Sequence, residues 1–291
     1  MRLGFIGFGE VGSEMSKGLK DAGLDRILAY DELQEHAVYG KLIKERAKAS
    51  SVMLRSSAEE ILKDLDLVIV AVPGDKALQT AKEIVPFLKK GMVYVDVSAS
   101  SPEVKRKIWE NIQYSEVSFV DGAMLGPLPV YQHKVPTLIS GNGSDQYMQL
   151  MKPYGMDLEK ISDVPGEATG IKLVRSIIMK GLPAIFIEAM EAASLMKVDH
   201  LVLKSVAASM NASPFEQIFN RLVTSSAIHA QRRAHEMKNV IEMLESINVK
   251  PTMSKATYDR LTWLASKNLK EKFSGKTPKD WREVVDSWEN S

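Results

Sequence analysis

Cysteine is absent from this 291-residue chain. Its absence excludes disulfides, a thiolate nucleophile and cysteine-held zinc or iron–sulfur clusters, so any metal would need His and carboxylates. An excess of charge is also lacking, because 38 Lys and Arg stand against 37 Asp and Glu for a net +1. No global field therefore attracts nucleic acid or an anionic membrane, and an anion site has to be local. No apolar stretch approaches the ~20 residues of a membrane-spanning helix; the longest clean run is Leu67 to Val72. The opening MRLGFIGFGEVG has no long h-region or small-residue cleavage site and is broken by Glu10, so it reads as a strand of a cytoplasmic protein. Repeats of fixed period and low-complexity segments are missing too. What remains is an ordinary folding composition, 45% hydrophobic and 26% charged, at a length that suggests two domains.

In the first half, short apolar runs alternate with amphipathic stretches. Arg2 to Gly7, Ile27 to Tyr30, Val52 to Arg55, Asp66 to Val72, Met92 to Val97 and Val117 to Val120 read as buried strands. Between them, Val11, Met15 and Leu19 share one helical face, Ser57 and Glu60 form a capping-box pattern, and Ser101-Pro102 opens a further helix. Such alternation predicts an α/β fold, a Rossmann-type doubly wound parallel sheet with helices on both faces. Strand signals stop after residue 140, and Asp163-Val164-Pro165-Gly166 looks like a boundary. Helical pattern follows, with starts at Ser213-Pro214 and Thr277-Pro278. The expected division is a dinucleotide-binding domain at 1–163 and an all-helical substrate and dimerisation domain at 164–291.

Chemistry enters at Gly7-Phe8-Gly9-Glu10-Val11-Gly12, a G-x-G-x-x-G between the first strand and the first helix. Gly7 permits the tight turn, Gly9 lets a pyrophosphate approach the backbone, Gly12 permits close packing, and the helix N-terminus supplies N–H groups and positive potential. The second strand ends at Asp31, whose carboxylate can accept hydrogen bonds from an adenosine ribose. No Arg or Lys follows directly, since Glu32, Leu33 and Gln34 come next. A carboxylate at Asp31 repels a 2′-phosphate, so NAD is preferred over NADP. The loops Val72-Pro73-Gly74 and Asp96 to Pro102 follow the fourth and fifth strands, at whose carboxyl ends ligands of such sheets bind.

GFIGFGEVG, then AVP, D-x-S-x-x-x-P at Asp96 to Pro102, Phe119-Val120-Asp121-Gly122-Ala123, and a glycine-led helix carrying a Lys together resemble the β-hydroxyacid dehydrogenases. That family includes 3-hydroxyisobutyrate and 6-phosphogluconate dehydrogenases. The resemblance covers roughly residues 1–200, and His229 to Met237 (H-A-x-R-R-x-x-E-M) resembles a less-characterised branch. It implies that the signature G-x-G-x-x-x-K-x-x-x-N lies over Gly166 to Ser176, with Lys172 as catalytic lysine and Ser98 contacting cofactor and substrate. Independently, Lys172 stands among Ile171, Leu173, Val174, Ile177 and Ile178, where burial lowers a lysine pKa toward the range of a general acid–base. Three departures stand out. Ala168 and Ser176 replace the second glycine and the asparagine, Leu125-Gly126-Pro127 replaces a Ser-Gly-Gly substrate loop, and Met179 stands where decarboxylating sugar-phosphate enzymes carry an acid.

These residues predict an NAD-dependent dehydrogenase moving hydride to or from the carbinol carbon of a small anionic hydroxyacid, with Lys172 moving the proton and Ser98 and Ser176 placing the oxygen. An imine or keto-acid reductase of the same architecture and a dinucleotide-sensing protein without turnover are the alternatives. His133 either binds an anionic group or sits on the surface. The resemblance also implies a homodimer through the helical domains. Arg232 and Arg233 point about 100° apart on a helix, and Arg233 or His235 is expected to hold the substrate's anionic end, replacing the N–H lost at Pro127. His229 and His235 fall on different helix faces, so no metal is expected.

Overall fold

The structure, a computed structural model, describes residues 1–289. Asn290 and Ser291, the end of the expected second domain, lie outside the described residues. Eight strands form one sheet: β1 (Leu3–Ile6), β2 (Ile27–Tyr30), β3 (Met53–Leu54), β4 (Leu67–Val70), β5 (Val93–Asp96), β6 (Ser118–Met124), β7 (Thr137–Ser140) and β8 (Leu158–Ser162). Their order is β3-β2-β1-β4-β5-β6-β7-β8. The central strands β1 and β4 are apolar without alternation because each face meets its own core. Leu3, Phe5, Leu67 and Ile69 enter one apolar cluster, and Ile6, Val68 and Val70 enter another.

The helices interleaved with these strands are α1 (Glu10–Asp21), α2 (Gly40–Ala49), α3 (Ala58–Leu62), α4 (Ala77–Ile84), α5 (Pro102–Ile112), α6 (Leu128–Tyr131) and α7 (Ser144–Met151). Their starts follow side-chain chemistry. The Ser57 hydroxyl accepts the Glu60 amide at α3, and the Ser101 hydroxyl accepts the Val104 amide at α5 with Pro102 in the first position. The α1 stripe buries Met15 and Leu19, with Val11 packed beside them.

The sheet departs from the sequence reading at its far edge. β6 continues through Asp121-Gly122 to Met124 and pairs antiparallel with β7, which pairs parallel with β8, so the sheet is mostly and not wholly parallel. Asp-Gly normally signals a turn; here Asp121 and Gly122 pair with Ser140 and Ile139 instead. Strands do not stop at residue 140. β8 escapes detection because Leu-Glu-Lys-Ile-Ser is a polar, half-buried edge strand.

After β8 every described element is helical: α8 (Glu167–Leu195), α9 (Asp199–Met210), α10 (Phe215–Ser246), α11 (Thr252–Ala265), α12 (Leu269–Lys272) and α13 (Trp281–Glu289). The last begins at Trp281, just beyond the Thr277-Pro278 start signal. The chain divides into compact units at Met1–Ser176 and Ile177–Ser291. That division falls inside α8 and not at residue 163, because the first turns of α8 pack with the sheet. In the second unit Ala227, Ala230, Leu264, Leu269 and Val284 form a core with Trp263 and Trp288 beside it. Glu188 of α8 accepts the Met253 amide (2.6 Å) and the Ser254 amide and hydroxyl (2.8 and 2.7 Å), capping α11. Burial alone would raise that carboxyl, but these bonds hold it below the usual carboxylate range. Among the described residues no helix is long and apolar enough to cross a membrane.

Candidate active site

The glycine-rich turn divides its work as its spacing predicts. Gly7 has φ +85°, and a Cβ there would lie 2.6 Å from the Ala71 carbonyl oxygen; one at Gly12 would lie 3.0 Å from the Gly7 oxygen. At Gly9 a Cβ would meet nothing within 4 Å. Only the middle glycine faces open space, which is where a pyrophosphate has to approach the α1 N-terminus. A cavity of about 700 Å³ brings Gly7, Gly9, Asp31, Val72 and Pro73 together. Phe8 contributes only backbone, since its side chain is fully buried and its amide donates to Asp31 Oδ2 at 2.7 Å. The Leu33 amide donates to Oδ1 at 2.9 Å. Each carboxylate oxygen of Asp31 keeps a lone pair for a ribose hydroxyl. Glu10 is exposed and Val11 half-buried, so neither side chain forms the cradle. Arg46 of α2 and Lys76 before α4 line the same cavity. Sequence reasoning missed both because they are remote in the chain from Asp31.

Successive strand ends connect this cradle to α8. A Cβ at Gly74 would lie 2.7 Å from the Ala99 oxygen, so the loops after β4 and β5 touch backbone to backbone. Ser98 in the second loop is 5% exposed and donates its amide (3.0 Å) and hydroxyl (2.5 Å) to Asp96 Oδ1. The same loop leads into α5, whose first residue meets α8: at Gly166 (φ +94°) a Cβ would lie 2.7 Å from the Pro102 oxygen. Thr169, in the first turn of α8, donates its amide to Asp121 Oδ2 (2.9 Å) and its hydroxyl to Oδ1 (2.6 Å). Lys172 follows within one turn.

Residues 2–153 match the family described as the NAD binding domain of 6-phosphogluconate dehydrogenase. This chain belongs to that family. Residues 193–264 match a second domain family, of unknown function. An uncharacterised 28.5 kDa protein of Methanothermus fervidus is 33% identical over 260 residues, 88% of this chain and 96% of that protein. The mitochondrial 3-hydroxyisobutyrate dehydrogenase of mouse is 26% identical over 149 residues, 50% of this chain and 42% of the enzyme. Among solved structures, an imine reductase of Myxococcus stipitatus in complex with NADP+ shares the fold, with TM-score 0.75 at 15% identity over 98% of this chain and 99% of that one. The chain is thus a divergent member of the β-hydroxyacid dehydrogenase family, an NAD(P)-binding, dehydrogenase-like oxidoreductase.

Within this family member the signature residues fall as follows. Ala168 is fully buried and donates its amide to the Ser140 hydroxyl (3.1 Å). Lys172 is half-buried, while its neighbours Ile171, Leu173 and Val174 are exposed. The apolar burial expected of Lys172 is therefore incomplete in a single chain. Ser176 donates its hydroxyl to the Lys172 carbonyl (2.9 Å), a bond back to its own helix. Leu125 packs with Ala168 and Leu138, beside the start of α8, and Gly126 lies against the Tyr131 ring. Pro127 is exposed and precedes α6. The loop presents an apolar wall and no hydroxyl.

Three further expected residues have the following surroundings within their own units. His133 is neither a surface group nor open to substrate. It is 4% exposed, its Nε2 is 2.9 Å from the Tyr154 oxygen, and its ring packs so closely on α1 that a Cβ at Gly18 would lie 2.1 Å from Nδ1. Burial pushes its pKa below the usual histidine value, against the Tyr154 carbonyl bond that raises it. Arg233 donates to the hydroxyls of Ser226 (2.5 Å) and Ser225 (3.0 Å) along α10. His235 lines a different cavity, of about 810 Å³, with Arg232, Lys238 and Tyr258. Arg233 and His235 thus serve separate faces. Among the described residues no group of three or more His, Asp or Glu could hold a metal ion. Sequence reasoning also missed Lys105, wholly buried on α5; its signal is its place on the stripe with Ile108 and Ile112.

Proposed function

We propose that the protein is an NAD-dependent dehydrogenase acting on a small anionic hydroxyacid, with Lys172 as general acid–base. The observation that carries the reading is the open space over Gly9 in a cavity that also holds Asp31, Val72 and Pro73. Bound there, a nicotinamide dinucleotide supplies hydride-transfer chemistry at the carbinol carbon. Lys172 takes the hydroxyl proton in oxidation and returns it in reduction, and Ser98 and Ser176 place the oxygen by turning their hydroxyl protons onto it from the Asp96 carboxylate and the Lys172 carbonyl. Asp31 and Glu32 favour NAD over NADP, against Arg46 and Lys76 in the same cavity. Arg233 remains the candidate for the substrate's anionic end, because its guanidinium meets serine hydroxyls and, among the described residues, no carboxylate within ion-pair distance.

A homodimer through the helical unit belongs to the same proposal. Val174, Ile177 and Ile187 of α8 are 66%, 72% and 69% exposed, with Leu201 and Leu203 of α9 also open. So many large apolar side chains exposed along one helix mark a face that is covered in its working state. Two observations leave room for an imine or keto-acid reductase: the apolar Leu125 in the substrate loop, and a fold shared with imine reductases.

A panel of carboxylate, phosphate and aromatic hydroxyacids, with amine-plus-ketone pairs beside them, tests these readings by NADH absorbance. Hydroxyacid oxidation supports the dehydrogenase; amine-dependent NADH consumption transfers the assignment to the imine class; tight NADH binding without any turnover supports a sensor. Lys172→Ala is expected to lower kcat by roughly 10² to 10⁴ with NADH affinity intact. Retention of more than about a tenth of kcat removes Lys172 from its role.

A further inference from the structure

Asp96 and Asp121 stand opposite each other in the register of β5 and β6, and both are wholly buried. Like charges at opposed positions destabilise a sheet, and loss of water adds to the cost. The answering cation comes from α5. Lys105, also wholly buried, donates to Asp96 Oδ1 (2.5 Å), to the Asp96 carbonyl oxygen (2.9 Å) and toward Asp121 Oδ1 (3.4 Å). Two hydrogen bonds thus go to Asp96, and an ion-pair contact reaches Asp121. Each carboxylate in turn holds one segment of the site. Asp96 takes the amide and hydroxyl of Ser98, and Asp121 takes the amide and hydroxyl of Thr169, three residues before Lys172. A well-packed apolar side chain fills such a volume at no greater cost in stability than a buried ion group. Packing alone does not call for a lysine here.

We infer that Lys105 is a positioning residue: it ties the two aspartates into one rigid unit and so fixes the Ser98 loop relative to the start of the helix that carries Lys172. The tie stands on the geometry alone; its consequence for turnover rests on the proposed roles of Ser98 and Lys172. Tyr94 on β5 and the hydroxyls of Ser98, Ser140 and Thr169 also surround the two carboxylates, Asp96 Oδ2 has no hydrogen-bond partner among the described residues, and Lys105 is the cation within ion-pair distance of both.

Native-state hydrogen exchange under increasing urea tests the tie in the unmutated chain. The amides of Ser98 and Thr169, whose acceptors are the two carboxylates, should open together with one urea dependence. Lys105→Met should speed exchange at both by at least about tenfold while the β1 amides stay within about threefold. It leaves two adjoining carboxylates without a cation, so the folded state retains a proton that the unfolded chain releases, and the Tm deficit should grow as pH rises from about 5 to about 8. In Lys105→Met/Asp121→Asn only one carboxylate remains, without a like charge beside it, so that growth should be smaller than in Lys105→Met. Independent opening of the two amides in the parent overturns the inference, as does a Tm deficit that is the same at every pH. If Lys105→Met does not fold, the parent's exchange and the double variant decide. On a substrate found in the panel above, either variant should lower kcat at least about tenfold with the NADH Kd within about twofold. A tie seen in exchange, in a chain that turns over nothing, upholds the positioning role and removes the catalytic reading instead.

Discussion

Replacing Gly7 and Gly9 separately by alanine should split folding from cofactor binding. At Gly7 the new Cβ meets the Ala71 carbonyl oxygen at 2.6 Å and its carbon at 2.9 Å, and the backbone stands at φ +85°. Left-handed backbone alone costs an L-residue about 1–2 kcal/mol, and backbone at a strand end cannot move aside cheaply. For a unit of this size that lowers Tm by about 2–8 °C. At Gly9, the residue before α1, φ is −76° and a Cβ meets no atom within 4 Å. The fold there should lose less than about 1 kcal/mol, the scale of an N-cap change. The added methyl occupies the space reserved for the pyrophosphate. Losing one charge-assisted hydrogen bond from the backbone costs about 1.5–3 kcal/mol, so the NADH Kd should rise about 10- to 150-fold. Differential scanning fluorimetry and NADH fluorescence titration read the two effects. An unchanged NADH Kd in Gly9→Ala, with its Tm intact, refutes the cradle.

Asp31→Ala should lower efficiency with NAD at least about tenfold, as for a carboxylate holding ribose hydroxyls; equal or better turnover with NADP in the unmutated protein reverses the cofactor preference. His133 titrates below its ordinary value of 6.5 in the fold because it is buried. The unfolded chain therefore binds that proton first, so the stability it contributes is present above about pH 6.5 and is lost as pH falls below it. His133→Leu should flatten the decline of Tm between about pH 7 and about pH 5, and an identical decline in both proteins refutes this. Ile187→Glu places a charge on the exposed α8 face and should convert a dimer to a monomer with unchanged helix content, read by light scattering and circular dichroism. A parent that already runs as a monomer at micromolar concentration defeats the dimer proposal.

The alternation of strand and helix, the caps at Ser57 and Ser101 and the three roles of Gly7, Gly9 and Gly12 were all legible in the sequence. Each rests on physics that acts within a few residues: backbone angles, side-chain caps and hydrophobic period. Asp31 was legible for the same reason, since the end of β2 follows from the turn before it. Tertiary structure alone decided what depends on partners remote in the chain. β6 runs through Asp121-Gly122 because β7 supplies its hydrogen bonds, and β8 exists because β7 offers an edge. His133 resembles a surface residue in the sequence and is buried because α1 has a glycine where its ring lies. Arg46 and Lys76 enter the Asp31 cavity only when the sheet assembles. Lys105 reads as one more helical lysine until β5 and β6 set two carboxylates side by side beneath it. A buried charge is intelligible only through its counter-charges, and these lie 9 and 16 residues away in sequence (105 minus 96 and 121 minus 105), on different strands.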